Sequence, residues 1–510
     1  DVSKAVVARI EGHGDQYPGV KVVVQTRRAY RGGTSAAHVL GHLSRATEAD
    51  VVTDADYRPT DFIGRMGLER QYESLLRGSR GVLVECTDHS GRILSSHRRR
   101  EPGVGRDLVL TIDMQLQRAA ETLLDAAMQR RAINAEHAEP AGGAIVVIDV
   151  RTGAIRTAAS APRFDPRLFV TGDAAGLAAV LDNPAKPLFD RVARMAIPPG
   201  SVFKALSAVA LLETGTIDPQ EPFHCQGYLH EPDRQRCAIY RRRGVGHDDV
   251  TLADALTVSC NVYFFHHATE LGPGPLTDWA TRFGFGRRTG IDLPSESAGN
   301  LPSPETPGRD WRPGDTQSLA VGQGALTATP LQIARMMAAV ANGGKLVTPH
   351  VVARLGLPAV ADAPSAERIE IPRPQPIPGI HAKTLATVRE GLLRVVSDPK
   401  GTAYGTVGLE NVAGKTGTAQ TGAGRSAHAW FAGYLPADAP QYALVVVLEH
   451  AGDASVAAGP VAKALMLKLL NKVATGGRAG QPATSNHPPA SRGVHPRAEL
   501  GSPPRRDAPG

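Results

Sequence analysis

Ser201 and Lys204 stand three residues apart in "PPGSVFK", just after a Pro-Pro-Gly turn, and the apolar "ALSAVALLETG" that follows reads as a helix. Positions i and i+3 on one helical turn share a face, so the lysine amine can reach the serine hydroxyl. A lysine partly desolvated there, near a second cation, has a lowered pKa and can accept the serine proton, which makes Ser201 an activated nucleophile. Taken alone, an S-x-x-K match is more often an ordinary helix with an exposed lysine.

Two more stretches change that balance. "VSCNVYFF" carries Ser259, Cys260 and Asn261, and "AGKTGTAQ" carries Lys415, Thr416, Gly417 and Thr418. On a strand edge, Gly417 lets a ligand backbone come close, and Lys415 adds positive charge for a carboxylate. In this order, with the first at a helix start and the third on a strand, the three stretches resemble the S-x-x-K, S-D-N and K-T-G set of serine β-lactamases and penicillin-binding proteins.

The elements that must position these residues can be read from pattern. "LTIDMQLQRAAETLLDAAM" is apolar at helical spacing, with Asp113 placed to cap its first turn. "GGAIVVIDVRTGAIRTAAS" reads as a β-hairpin turning at Arg151-Thr152-Gly153. "PLQIARMMAAVANGG" is a helix stopped by glycines, "YALVVVLEH" a buried strand and "GPVAKALMLKLLNKV" a terminal amphipathic helix. Residues 1–135 read as loop- and strand-rich, a boundary falls near "EPAGG", and 355–380 form a Pro-rich excursion. The expected fold class is α+β: a β-rich pedestal (1–139), then a domain with an antiparallel sheet flanked by helices (140–474). The Pro/Gly/Arg-rich tail (475–510) reads as disordered.

Composition narrows the class. The 510 residues are 42% hydrophobic and 21% charged, as in ordinary globular proteins, and the net charge of +7 is mild. No Lys/Arg run interleaves with aromatics, which argues against nucleic acid as a partner. No apolar stretch approaches the roughly 18 residues of a membrane span, and there is no signal-peptide core. Since the chain does not begin with Met, it reads as a processed or trimmed piece.

The resemblance extends beyond the triplet. "PGVKVVVQTRRAYRGGTSAAHVLGHL", "GRMGLERQYESLLRG", "VGQGALTATPLQIA" and "HAWFAGYLP" are similar to the class B penicillin-binding proteins, and "GHDDVTLADALTVSCN" looks most like the elongation branch, penicillin-binding protein 2. The likeness covers roughly residues 5–474. It implies a serine D,D-transpeptidase that cross-links peptidoglycan stem peptides of lipid II-derived glycan and is acylated by β-lactams. Ser201 would be the nucleophile, Lys204 its base, Ser259 a proton relay and Asn261 a clamp on the substrate amide. Lys415, Thr416 and Thr418 would bind the donor's carboxylate and backbone, with the Ser201 and Thr418 N–H groups as oxyanion hole. No cofactor is implied for catalysis. The family also implies an N-terminal membrane helix absent here, an extracytoplasmic catalytic domain at the cell membrane, and a RodA-type glycosyltransferase as partner.

Two other readings use the same triplet. A β-lactamase would need fast deacylation, and no clearly placed deacylating glutamate is visible. A penicillin-sensing domain would normally lack the long pedestal.

The cysteines pose a separate question. Cys225, Cys237 and Cys260 cluster with His247 in one segment, while Cys86 lies apart and reads as a free thiol. Three thiolates and an imidazole are a structural Zn2+ set, although the spacing matches no zinc finger. The resemblance implies zinc behind the active site, with Cys260 and His247 matching by context and Cys225 and Cys237 more loosely. A Cys225–Cys237 disulfide, or plain burial of Cys260, are the alternatives. His38 reads as a packing residue, Trp430 and Phe431 as packing behind the Lys415 strand, and Asp315, Gln317 and Gln323 as bordering the cleft without an assigned role.

Overall fold

The computed structural model describes residues 2–476 apart from 18, 21, 23–27, 55, 91, 135–140, 309, 357–366 and 423–424. Five apolar segments pair into one antiparallel sheet: β1 (Gly143–Asp149), β2 (Ile155–Ala161), β3 (Ala413–Ala419), β4 (His428–Leu435) and β5 (Tyr442–Leu448), in the order β3-β4-β5-β1-β2. Every residue of β1 and β4 is buried. Their runs are therefore continuous rather than alternating, as expected for strands covered on both faces. β3, which carries Lys415 to Thr418, is an edge strand with its outer side left open by the sheet.

The covering helices include α1 (Met114–Asn134), α2 (Lys204–Glu213), α3 (Ala238–Arg243), α4 (Leu252–Thr257), α5 (Asn261–Leu271) and α6 (Pro330–Ala341), with α7 (Ala454–Gly476) last. Asp113 caps α1, accepting from the N–H groups of Gln115 and Leu116. α6 starts with a reciprocal Thr329–Gln332 capping box and Pro330 in its first turn, and Gly343 and Gly344, both at positive φ, follow its end. One compact body spans the chain to Lys468.

Short helices alternate with short strands through the N-terminal region, and the exposed hairpin Val82–Thr87/Ile93–Arg100 carries Cys86. This region is tied to the sheet. Gln117 of α1 exchanges two hydrogen bonds with Ala158 of β2, and Glu121 accepts from Ser35 and the Ala36 N–H. The strand Asp107–Leu110 pairs with Val352–Gly356. α1 thus packs with the second domain, although the sequence reading puts it before the boundary at 139/140; "EPAGG" itself falls partly outside the described residues. α7 runs to Gly476, two residues into the segment read as tail, and 477–510 lie outside the described residues, as does 357–366 of the Pro-rich excursion. Among the described residues no helix is long and apolar enough to cross a membrane.

Candidate active site

The first motif is shaped by two glycines. Gly200, at φ +59°, turns the chain into a short 3-10 segment, Gly200–Phe203, and donates to Gly322 O at 2.8 Å. A Cβ on Gly322, itself at positive φ, would stand 2.1 Å from the Gly200 carbonyl oxygen, so only glycine permits the two segments to pack this closely. Ser201, half-buried, follows, and its carbonyl accepts from the Lys204 N–H as α2 begins.

Lys204 is fully buried. Its Nζ donates to Asn261 Oδ1 (2.7 Å), Ser259 O (2.9 Å) and Ser259 Oγ (3.3 Å), and lies 5.4 Å from the face of Phe264. Burial lowers its pKa to about 8. The sequence spacing aims this amine at Ser201. In the folded chain it is turned toward the second motif instead, and the Ser201 hydroxyl makes no hydrogen bond among the described residues. Catalytic contacts of this kind are commonly loose before substrate arrives.

The second motif sits on a helix-to-helix corner. α4 ends in a Schellman arrangement: Cys260 N–H donates to Ala255 O (2.8 Å) and Ser259 N–H to Leu256 O (3.3 Å). The left-handed position that glycine usually fills is held by Ser259, at φ +57°. A non-glycine residue there stores strain, a feature concentrated at functional sites. The corner sends Ser259 and Asn261 toward Lys204 and Cys260 the opposite way, to cap α5 through Tyr263 N–H. Asn261 Nδ2 also donates to Arg236 O, which fixes its amide.

On β3, Lys415 is fully buried and donates to Thr416 O at 3.2 Å. Burial, and then the charge of Lys204, push its pKa well down. Thr416 shares a 2.7 Å hydrogen bond with Thr402. Thr418 is exposed; its Oγ1 accepts from Ala454 N–H and its carbonyl from Gln323 Nε2. At Gly417 a Cβ would meet Pro199 O at 2.8 Å and Val202 Cγ1 at 3.0 Å, so the missing side chain lets the Ser201 turn pack against β3. The 3-10 turn, the α4–α5 corner and the edge of β3 thus bring the three motifs together around one candidate cleft.

A family model, the penicillin binding protein transpeptidase domain, matches residues 143–467, and the penicillin-binding protein dimerisation domain matches residues 1–110. The chain belongs to the penicillin-binding protein transpeptidase family. It is 36% identical to the peptidoglycan D,D-transpeptidase MrdA of Acinetobacter baumannii over 88% of this chain and 67% of that protein. The PBP2 of Helicobacter pylori, solved in a complex with MreC, superposes with a TM-score of 0.77 at 26% identity, over 92% of this chain and 84% of that one. A chain of a peptidoglycan synthase complex described as coordinating polymerization and crosslinking gives 0.73 at 32%, over 91% and 80%. These likenesses make it a class B penicillin-binding protein of the PBP2 kind.

Behind the cleft this penicillin-binding protein gathers four donors. Cys225 Sγ lies 3.7 Å from Cys237 Sγ and 3.6 Å from His247 Nδ1, and Cys237 Sγ lies 3.6 Å from Cys260 Sγ. All three cysteines are buried and unbonded to one another. Tetrahedral zinc with Zn–S of about 2.3 Å has edges of about 3.8 Å, so the donor set and its spacing fit that ion.

His38 packs as read, edge-on to Phe164 and bonded to Pro187 O, and Trp430 and Phe431 are wholly buried. Gln317 bonds Thr269, and Asp315 belongs to the start of its own helix. Gln323 and Thr402 touch motif residues that local spacing does not connect to them; the "VGQG" glycines were the available signal.

Proposed function

We propose that Ser201 carries the acyl-enzyme of a peptidoglycan D,D-transpeptidase. The activity is that of a serine-type D-Ala-D-Ala transpeptidase, as in the MrdA relatives, and transpeptidases of this family need no cofactor for catalysis. The observation that supports the residue roles best is the triple hold of Ser259 and Asn261 on Lys204, one turn from Ser201.

Ser201 Oγ attacks the carbonyl of the penultimate D-Ala, and its proton passes to the neutral Lys204 amine. The oxyanion is met by the Ser201 and Thr418 N–H groups. Lys204 then returns the proton through Ser259 to the departing D-Ala amine. An acceptor amine attacks the Ser201 ester, loses a proton to Lys204 and leaves as the cross-linked product, and that proton goes back to Ser201 Oγ. Asn261 holds the donor's amide. Lys415, Thr416 and Thr418 hold its terminal carboxylate, whose arrival restores charge to the buried Lys415; Gly417 keeps strand and nucleophile turn in contact. β-Lactams acylate the same serine. The test is cross-linking of polymerised lipid II by the purified protein, which Ser201→Ala should abolish; a β-lactamase would hydrolyse penicillin instead.

The chain divides into a pedestal over 1–139, with α1 as its joint to the sheet, a transpeptidase domain over 140–474 and a tail from 475. Cys225, Cys237, His247 and Cys260 would hold one structural Zn2+, and through Cys260 such a site would tie the start of α5, with Asn261, to the segment before it. The relatives are peptidoglycan D,D-transpeptidases; this chain works outside the cytoplasm, tethered to the cell membrane and partnered by a RodA-type glycosyltransferase. The neighbours solved with MreC and in a peptidoglycan synthase complex support such partners.

A further inference from the structure

The mouth of the cleft is bridged by a charged pair that acyl transfer does not use. α3 has the sequence AIYRRR and starts right after Cys237. Its approach is pinned to the second motif by the Asn261 amide on Arg236 O, 3.1 Å. From α3, Arg242 Nη1 reaches Asp453 Oδ2 at 3.7 Å. The residue after Asp453, Ala454, donates its N–H to Thr418 Oγ1. The pair therefore runs from the Asn261 wall to the Thr418 wall.

Both side chains are open to water, 68% for Arg242 and 47% for Asp453, and the contact is an ion pair without a hydrogen bond. Such a pair stabilises little and exchanges readily. Asp453 has a second hold: its Oδ1 accepts from Ser455 N–H at 2.8 Å at the start of α7. It can release Arg242 without becoming an orphan. Arg241 and Arg243, also exposed, pair with no carboxylate among the described residues, so this rim is net positive.

We propose that Arg242 is a specificity-determining residue that binds a free carboxylate of the donor stem peptide, upstream of the scissile D-Ala–D-Ala bond, with Asp453 holding the guanidinium in place until that carboxylate replaces it. This rests on the cleft assignment given above. A guanidinium can take a carboxylate through two parallel hydrogen bonds, a stronger arrangement than the long contact it gives up. No bond is made or broken in the exchange, and the substrate class it selects is an acidic peptide over its amidated counterpart.

The test uses two synthetic donors ending in D-Ala-D-Ala, identical except that one upstream carboxylate is free in the first and a carboxamide in the second. The ratio of their kcat/KM values is read with wild type, Arg242→Ala and Asp453→Asn. Wild type should favour the acid by about tenfold. Arg242→Ala should bring the ratio to about one, and Asp453→Asn should keep or raise it. A wild-type ratio of one, an unchanged ratio in Arg242→Ala, or an equal loss in both variants would overturn the proposal. Penicillin labelling of wild-type Ser201, run in parallel, reports on the cleft assignment alone. Labelling without discrimination rejects only the Arg242 role, whereas no labelling rejects the cleft on which that role depends.

Discussion

Lys204 Nζ and Asn261 Oδ1 lie 2.7 Å apart, the shortest of three hydrogen bonds that hold the buried amine against Ser259 and Asn261 of the second motif. The bond opposes burial: burial favours the neutral amine, and the acceptors favour the charged one.

Burial lowers Lys204 to about 8, against the charges of the nearby Cys260, Cys237 and Cys225, which raise it. A base must be neutral to take the Ser201 proton, so roughly a tenth of the enzyme is competent at pH 7 and most of it above pH 9. The second-order rate of penicillin acylation should climb about tenfold between pH 6 and 7 and level off above 8. Stopped-flow or gel-based labelling across pH 6–9 checks this, and a flat profile contradicts it. Lys204→Ala should cost about 10²–10⁴-fold.

Asn261→Ala removes the nearest acceptor of the charged form. The Lys204 pKa then falls further, and the midpoint of the acylation profile should move to lower pH while the rate itself drops through loss of the substrate clamp. The same pH series on the variant reads both effects; a midpoint that moves upward would be the wrong sign.

Gly417→Ala tests the contact between strand and nucleophile turn. The added Cβ would press on Pro199 O at 2.8 Å and Val202 N at 3.1 Å, both rigid backbone atoms. Displacing Ser201 by a fraction of an ångström should lower acylation by about 10–100-fold. A variant that acylates like wild type would show that the turn yields freely.

Metal content tests the cluster behind Asn261. Protein purified without chelator should carry about one zinc per chain, and Cys260→Ser should lose most of it together with about tenfold in acylation rate. Fewer than about 0.2 zinc per chain, with Cys225 and Cys237 oxidised to one another, would contradict the site.

Much of the site is legible because its signals are local. Ser201 and Lys204 share one turn, Ser259 and Asn261 flank a residue that must face the other way, and the Asp113 cap and the 143–161 hairpin are written in short patterns. What spacing cannot convey is which distant element each residue meets. The Lys204 amine is free to choose between Ser201 and the α4–α5 corner, and packing turns it to the corner. Nothing local to Gly417 says that the Pro199–Val202 turn packs against it. Gln323, Thr402 and Ala454 reach β3 from outside the strand, and α1 looks like part of the pedestal until its hydrogen bonds to Ala158 join it to the sheet.

The central claim is that Ser201 is the acylated nucleophile. Intact-mass and peptide mapping after a penicillin pulse should find one adduct per chain, on the peptide containing Ser201, stable for hours, and none on Ser201→Ala. An adduct that persists in Ser201→Ala, or that maps to another residue, would contradict the account.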